Sequence, residues 1–215
     1  KPLAADAMEP IRTGHTVNAM NLRHVVITSV DRDDIKNDYG AEIWAETIEQ
    51  IRIQAPECTI EVLTPDFRNY APAFEKVFKA EPDIFSHNIE CVERISRQVR
   101  PQSDWNRSLS VLQASIEWGL NTKTGMMVGL GENDSEVLET MQEIAELGIT
   151  IFNIGQYLQP TLNHLPVQRF VHPDIFKMYK ERGLEMGFRV VESGPLVRSS
   201  YHADEQAMGL EIANN

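Results

Sequence analysis

The amino-acid sequence predicts an α/β fold: a mainly parallel sheet covered by helices. Two observations predict it. Short apolar, strand-like runs alternate with longer helical stretches along the chain, and that alternation marks parallel strands joined by crossover helices. The first run, Val25-Val26-Ile27, also passes directly into the polar string Thr28-Ser29-Val30-Asp31-Arg32-Asp33-Asp34. The end of a buried strand is where α/β proteins bind ligands.

The elements follow in order. One candidate helix, about Glu9–Met20, precedes the first strand. Strand-like runs lie near His24–Thr28, Thr59–Leu63, Asp83–Ser86, Gly125–Leu130, Ile149–Ile154 and Phe188–Val191. Tyr39–Gln54 reads as a helix with Ile43, Trp44, Ile48 and Ile51 on one face. Ala71–Ala80 is a short helix. Ile89–Val99 begins just after Asn88, a residue type that caps helices. Ser103–Gly119 opens on a serine cap and stops at a glycine. Ser135–Leu147 opens on Asp134-Ser135 and ends before Gly148. Pro173–Met186 has proline in its first turn and stops at Gly187. A βα unit starts with a strand, so the chain reads as entering the pattern one strand late. No composition break, linker or low-complexity segment divides it, and one domain is expected.

The chain has 215 residues, 42% of them apolar and 24% charged, with a net charge of −12. These proportions suit a soluble globular domain with a sizeable core. The acidic balance argues against nucleic acid as a partner. No apolar run approaches the roughly 18 residues of a membrane helix. The start, Lys1-Pro2-Leu3-Ala4-Ala5-Asp6, lacks the apolar region of a signal peptide. Cys58 and Cys91 stand far apart, outside any metal-like spacing, and read as isolated, partly buried thiols of a reducing compartment. The expected location is the cytoplasm.

Polar residues follow each strand-like run. They are Thr28, Ser29, Asp31 and Arg32; Thr64 and Asp66; His87, Asn88 and Glu90; Gly129-Leu130-Gly131-Glu132, after Lys123 and Thr124; Gly155, Gln156, Tyr157 and Gln159; and Glu192, Ser193 and Gly194. In a parallel sheet they converge on one rim. The set suits a ligand with an anionic group, an amine and hydroxyls. Lys123 would hold the anion, Asn88 and Glu90 hydroxyls or an amine, and Gly129-Leu130-Gly131 would let the ligand approach backbone. Each has a plainer reading. Thr28-Ser29 could simply cap a turn, the aspartates could form a solvated loop, the glycine turn could only start a helix, and His87 suits a structural role. A lysine inside a mostly apolar strand needs a reason: a ligand, or an acid at the rim. No G-x-x-x-x-G-K-[ST], G-x-G-x-x-G or H-E-x-x-H motif is present.

Together, six strings resemble lipoyl synthases, radical S-adenosylmethionine enzymes that insert sulfur. They are Val26-Ile27-Thr28-Ser29-Val30-Asp31-Arg32-Asp33-Asp34, Glu61-Val62-Leu63-Thr64-Pro65-Asp66-Phe67, His87-Asn88-Ile89-Glu90, Lys123-Thr124-Gly125-Met126-Met127-Val128-Gly129-Leu130-Gly131-Glu132, Gly155-Gln156-Tyr157-Leu158-Gln159-Pro160 and Ser193-Gly194-Pro195-Leu196-Val197-Arg198-Ser199-Ser200-Tyr201. The resemblance runs from about Lys1 to Leu210. It implies a partial parallel (βα)6-type barrel, of the radical SAM and TIM-barrel-like kind, lacking its first strand here, and ending in an Arg-Ser-Ser-Tyr tail. It implies insertion of two sulfur atoms at C6 and C8 of an octanoyl group carried on a lysine of a lipoyl-carrier protein. One [4Fe-4S] cluster would cleave S-adenosylmethionine reductively, the 5′-deoxyadenosyl radical would abstract hydrogen, and a second, auxiliary [4Fe-4S] cluster would donate sulfur. An electron donor such as ferredoxin or flavodoxin is implied.

On this chain the resemblance implies that Thr28, Ser29, Asp31, Asn88, Glu90, Lys123 and Gln159 line the S-adenosylmethionine site, with Lys123 on the methionyl carboxylate. Ser200, or alternatively Ser199, would be the serine ligand of the auxiliary cluster. The chain departs from the family in lacking the cysteine triplets C-x4-C-x5-C and C-x3-C-x2-C, since Cys58 and Cys91 match neither. The expectation is a chain truncated at its N-terminus and inactive alone. Ile35-Lys36-Asn37-Asp38-Tyr39-Gly40 also replaces a glycine-rich turn. Two alternatives stay open: a lysine-dependent aldolase-type barrel with a Schiff base on Lys123, and a non-catalytic remnant that binds a lipoyl domain.

Overall fold

The six apolar runs form six parallel strands of one sheet, laid side by side in chain order. The computed structural model describes residues 3–207; the last part of the resembling stretch, up to Leu210, lies outside them. Helix α1 (Glu9–Ala19) leads into β1 (His24–Thr28), α2 (Ala41–Gln54), β2 (Thr59–Leu63), α3 (Ala71–Lys79) and β3 (Ile84–Ser86). Two helices, α4 (Glu93–Val99) and α5 (Trp105–Glu117), precede β4 (Thr122–Val128). Then come α6 (Asp134–Glu146), β5 (Ile151–Gln156), α7 (Pro173–Met186) and β6 (Val190–Gly194). This is the α/β architecture of a partial βα barrel. Strand β1 pairs with β2, and its other edge pairs with no strand among the described residues.

Capping chemistry sets the helix starts. Asn133 and Glu136 form a reciprocal capping box on α6. Asp38 accepts from the backbone nitrogens of Gly40 and Glu42 at the start of α2. Two sequence expectations shift. Helix α5 is capped by Asp104, whose carboxylate accepts from the Arg107 nitrogen, rather than by Ser103. Helix α4 begins at Glu93, not at Ile89, because Glu90 continues the ladder by bridging to Met126. Asn88 is therefore no cap.

Alternate strand residues face opposite sides. The outward sets pack under the helices in two clusters. One joins Trp44, Ile48, Ile60, Val62, Phe74, Phe78 and Phe85; the other joins Val128, Val137, Met141, Phe152, Ile154, Phe176 and Tyr179. Burying each such side chain contributes about 1.5–3 kcal/mol. On the inner side a small cluster joins Ile84, Ile151 and Ala207. The C-terminal segment, helical over 203–207, thus enters the concave side of the sheet.

Candidate functional site

The concave side is polar above that apolar floor. Lys123, in the second position of β4, is 1% exposed. Its Nζ lies 2.9 Å from Glu61 Oε1 and 3.0 Å from Oε2, and it donates to the Ser199 carbonyl at 2.7 Å. Glu61, in the middle of β2, is 0% exposed. His24 Nε2 lies 3.9 Å from Glu61 Oε2. Burial raises the Glu61 carboxyl pKa and lowers that of the Lys123 ammonium, and the attraction between them opposes both shifts. The anion that Lys123 holds is therefore Glu61. Lys123, expected on a ligand carboxylate, is held here by Glu61 and the Ser199 carbonyl. The same two contacts occupy the amine that a Schiff base would use.

Above this pair lies the tail. Asn88, just past β3, donates to Ser199 Oγ at 3.0 Å. Asn153 of β5 donates to the Arg198 and Ser199 carbonyls at 3.4 Å each. Gly155 is a close-approach glycine: a Cβ there would lie 2.3 Å from the Val197 carbonyl oxygen. A cavity of about 100 Å³ remains among Asn88, Glu90, Gly125, Met127, Gly155, Arg198 and Ser199. Glu90 is held at φ 70°, in the left-handed region, by its nitrogen on the Gly125 carbonyl and its carbonyl on the Met127 nitrogen. Such backbone persists where the surroundings over-determine it. Burial raises the Glu90 carboxyl pKa, against the pull of Arg100 and the Asn88 amide.

Ser200 differs from Ser199. It is exposed, its hydroxyl makes no hydrogen bond among the described residues, and it borders a cavity of about 870 Å³ beside His24, Thr59 and Asp204. Asp31 lines a separate rim pocket of about 310 Å³ with Asp33, Asp66, Arg68, Arg100 and Arg107. Loss of hydration raises its carboxyl pKa, against Arg100. Arg100, 3.8 Å from Glu90, links this pocket to the Asn88–Glu90 cavity. Thr28 is exposed at the end of β1, and Ser29 Oγ donates to the Val30 carbonyl. Gln159 donates to His164 of its own loop and borders neither pocket.

Of the residues singled out in the sequence, the fold brings Asn88, Glu90 and Ser199 to one cavity and leaves Ser200 at another; Glu61, Arg100 and Asn153 were not singled out. A lone acid in the apolar strand Thr59–Leu63 was a usable signal for Glu61, by the logic that singled out Lys123. The Gly129-Leu130-Gly131 turn offers no ligand space. The Glu132 carboxylate caps its Gly129 and Leu130 nitrogens, and a Cβ on Gly129 would meet Gln156 and the Arg169 carbonyl. His87 is structural, bonded to the Thr64 carbonyl and Ser108 Oγ.

Iron–sulfur clusters need about four ligands, usually thiolates. Cys58 and Cys91 are each 1% exposed, burial pushes the Cys91 thiol up to about 12, and no three His, Cys, Asp or Glu residues form a metal-binding group among the described residues. The residues of this chain do not fit a complete cluster. The Asn88–Glu90 cavity does fit part of a cationic amino-acid cofactor: it pairs a carboxylate with an amide and two strand glycines. No helix among the described residues is long and apolar enough to cross a membrane.

The Radical SAM superfamily model matches residues 6–144. Fold and match define the class, a radical SAM superfamily protein. The chain is 52% identical over 208 residues to a lipoyl synthase of Rubrobacter xylanophilus, covering 96% of this chain and 64% of that one. It is 46% identical over 209 residues to a lipoyl synthase of Flavobacterium johnsoniae, covering 97% and 72%. The chain belongs to the lipoyl synthase family, and spans about two thirds of the length of these relatives. Among solved structures, Streptococcus suis SuiB is similar with a TM-score of 0.68 at 9% identity, over 88% of this chain and 43% of that one; this likeness concerns the fold alone.

Proposed function

We propose that the intact protein is a lipoyl synthase, and that this chain is its barrel core and serine-bearing tail, a single domain. The reaction is insertion of two sulfur atoms at C6 and C8 of an octanoyl group on a lipoyl-carrier protein. The observation that carries the reading is the Arg198–Tyr201 tail seated across the concave side of the sheet, with the Ser199 hydroxyl engaged and that of Ser200 without a hydrogen bond among the described residues. S-adenosylmethionine and two [4Fe-4S] clusters would supply radical chemistry and sulfur, with cysteine ligands from beyond this chain. Ser200, rather than Ser199, is the oxygen ligand to the auxiliary cluster. Asn88 and Glu90 bind the hydroxyls and amine of S-adenosylmethionine, with Arg100 fixing the Glu90 carboxylate. Thr28, Ser29 and Asp31 line the outer part of that site, and Gln159 reaches it on release from its bond to His164. The electron donor is a ferredoxin or flavodoxin, and the protein works in the cytoplasm without nucleic-acid or membrane partners.

The test is turnover by the intact protein after anaerobic reconstitution with iron and sulfide, given reductant, S-adenosylmethionine and octanoylated carrier. Lipoylated carrier, detected by mass, is the expected product, and Ser200→Ala abolishes its formation. Absence of sulfur in the product with both clusters fully loaded overturns the assignment. The remnant reading requires carrier binding without turnover under the same conditions.

A further inference from the structure

We infer that Lys123 and Glu61 are positioning residues, a buried latch that holds the tail and so presents Ser200; this rests on the reading of Ser200 as a cluster ligand. An ammonium has three donors. One of those of Lys123 goes to Glu61 Oε2, with Oε1 at ion-pair distance, and another meets the carbonyl of Ser199, 76 residues further on. The same carbonyl receives the Asn153 amide, and the Ser199 hydroxyl receives Asn88. On the other side of Ser200, Gln206 Nε2 donates to the Tyr201 carbonyl at 2.7 Å. Ser200 is thus fixed from both flanks, while its own hydroxyl faces a cavity.

A buried ion pair is poor stabilisation in itself, because apolar residues of like volume often serve as well. What an apolar pair cannot supply is a charged donor aimed at the tail. Glu61 keeps that donor charged and oriented, and the link from sheet to tail is a charge-assisted hydrogen bond, stronger than a neutral one.

The experiment is hydrogen–deuterium exchange on the intact protein carrying E61Q/K123M, which removes both charges and leaves neither unpaired. Exchange of amides 197–203 is expected to rise roughly tenfold or more while β4 and β5 keep their protection. Tail protection unchanged, or lost only in step with the sheet, overturns the latch. Should that variant not fold, E61Q/K123Q, which keeps polar groups in a similar volume, is read the same way. Mössbauer spectra of the reconstituted variant provide the second readout. Loss of the oxygen-ligated iron signature with the other cluster unchanged supports the positioning of Ser200. A loosened tail with that signature intact overturns the service to Ser200. If Ser200→Ala itself leaves the spectrum unchanged, the ligand reading fails, and exchange alone judges the latch.

Discussion

Asn88 and Ser199, 111 residues apart in the chain, are joined by a hydrogen bond of 3.0 Å from Nδ2 to Oγ. The bond runs from the end of β3 to the tail and forms one wall of the cavity beside Glu90. Asn88→Ala removes it and is expected to cost about 0.5–1.5 kcal/mol. Asn88→Asp keeps a partner for the Ser199 hydroxyl, which can turn and donate, but sets a second carboxylate beside Glu90 and costs at least as much. Urea melts of the two variants check the order.

Lys123→Met alone leaves Glu61 charged at 0% exposure. The expected loss is about 3–5 kcal/mol, and adding Glu61→Gln recovers most of it. Thermal melts of the singles and the double form a cycle whose coupling is of the same size. Independent, additive losses would contradict the pairing.

His87 is buried, and loss of hydration lowers its pKa from 6.5 to about 4. Between those values the unfolded chain binds the proton and the folded chain does not. Its contribution to stability is therefore complete above pH 6.5 and lost as pH falls toward 4, by on the order of 3 kcal/mol. His87→Gln should flatten the stability profile in that window, and a variant profile parallel to that of the unaltered protein would refute this. Glu61, Glu90 and Asp31, with raised values, act in the opposite sense below their shifted pKa, so the difference between the two profiles is the quantity to compare.

Gly155→Ala places a methyl group where the Val197 carbonyl lies. Because the obstacle is backbone, the tail has to lift. A destabilisation of roughly 1–3 kcal/mol is expected, with faster exchange at amides 197–199. A crystal structure of the variant with an unmoved tail would show the approach to be looser than described.

Cys91 and Cys58 should resist alkylation in the folded chain, since both are buried and their thiol pKa values are raised by burial. Iron and sulfide reconstitution of the 215-residue chain should give no stoichiometric cluster. Rapid labelling of the native thiols, or a cluster with full iron and sulfide, is the contrary result.

Local chemistry made much of the fold legible. β1, β2 and α7 fall where their apolar runs and Pro173 and Gly187 put them. β4 was expected at Gly125–Leu130 and lies at Thr122–Val128, because Thr122, Lys123 and Thr124 look unlike strand core until their partners Ser115, Glu61 and His87 are seen. Part of the candidate site was legible as residue types, since Asn88, Glu90 and Ser199 line one cavity. What sequence could not supply was pairing across distance: Glu61 with Lys123, 62 residues apart, or Asn153 with the tail. Asn88 misled because a residue suited to capping also suits a hydrogen bond to a distant hydroxyl.

The strict strand order from β1 to β6 has a consequence for biogenesis. Each new strand can dock beside the one synthesised just before it, so the sheet can grow in the direction of translation without waiting for a distant partner. The tail breaks that rule, turning back from β6 to residues on β3, β4 and β5. It emerges after all six strands and seats after them, as a bolt shot home once the sheet is assembled. A ribosome-bound intermediate would therefore carry a formed sheet with Lys123 and Glu61 paired but uncovered.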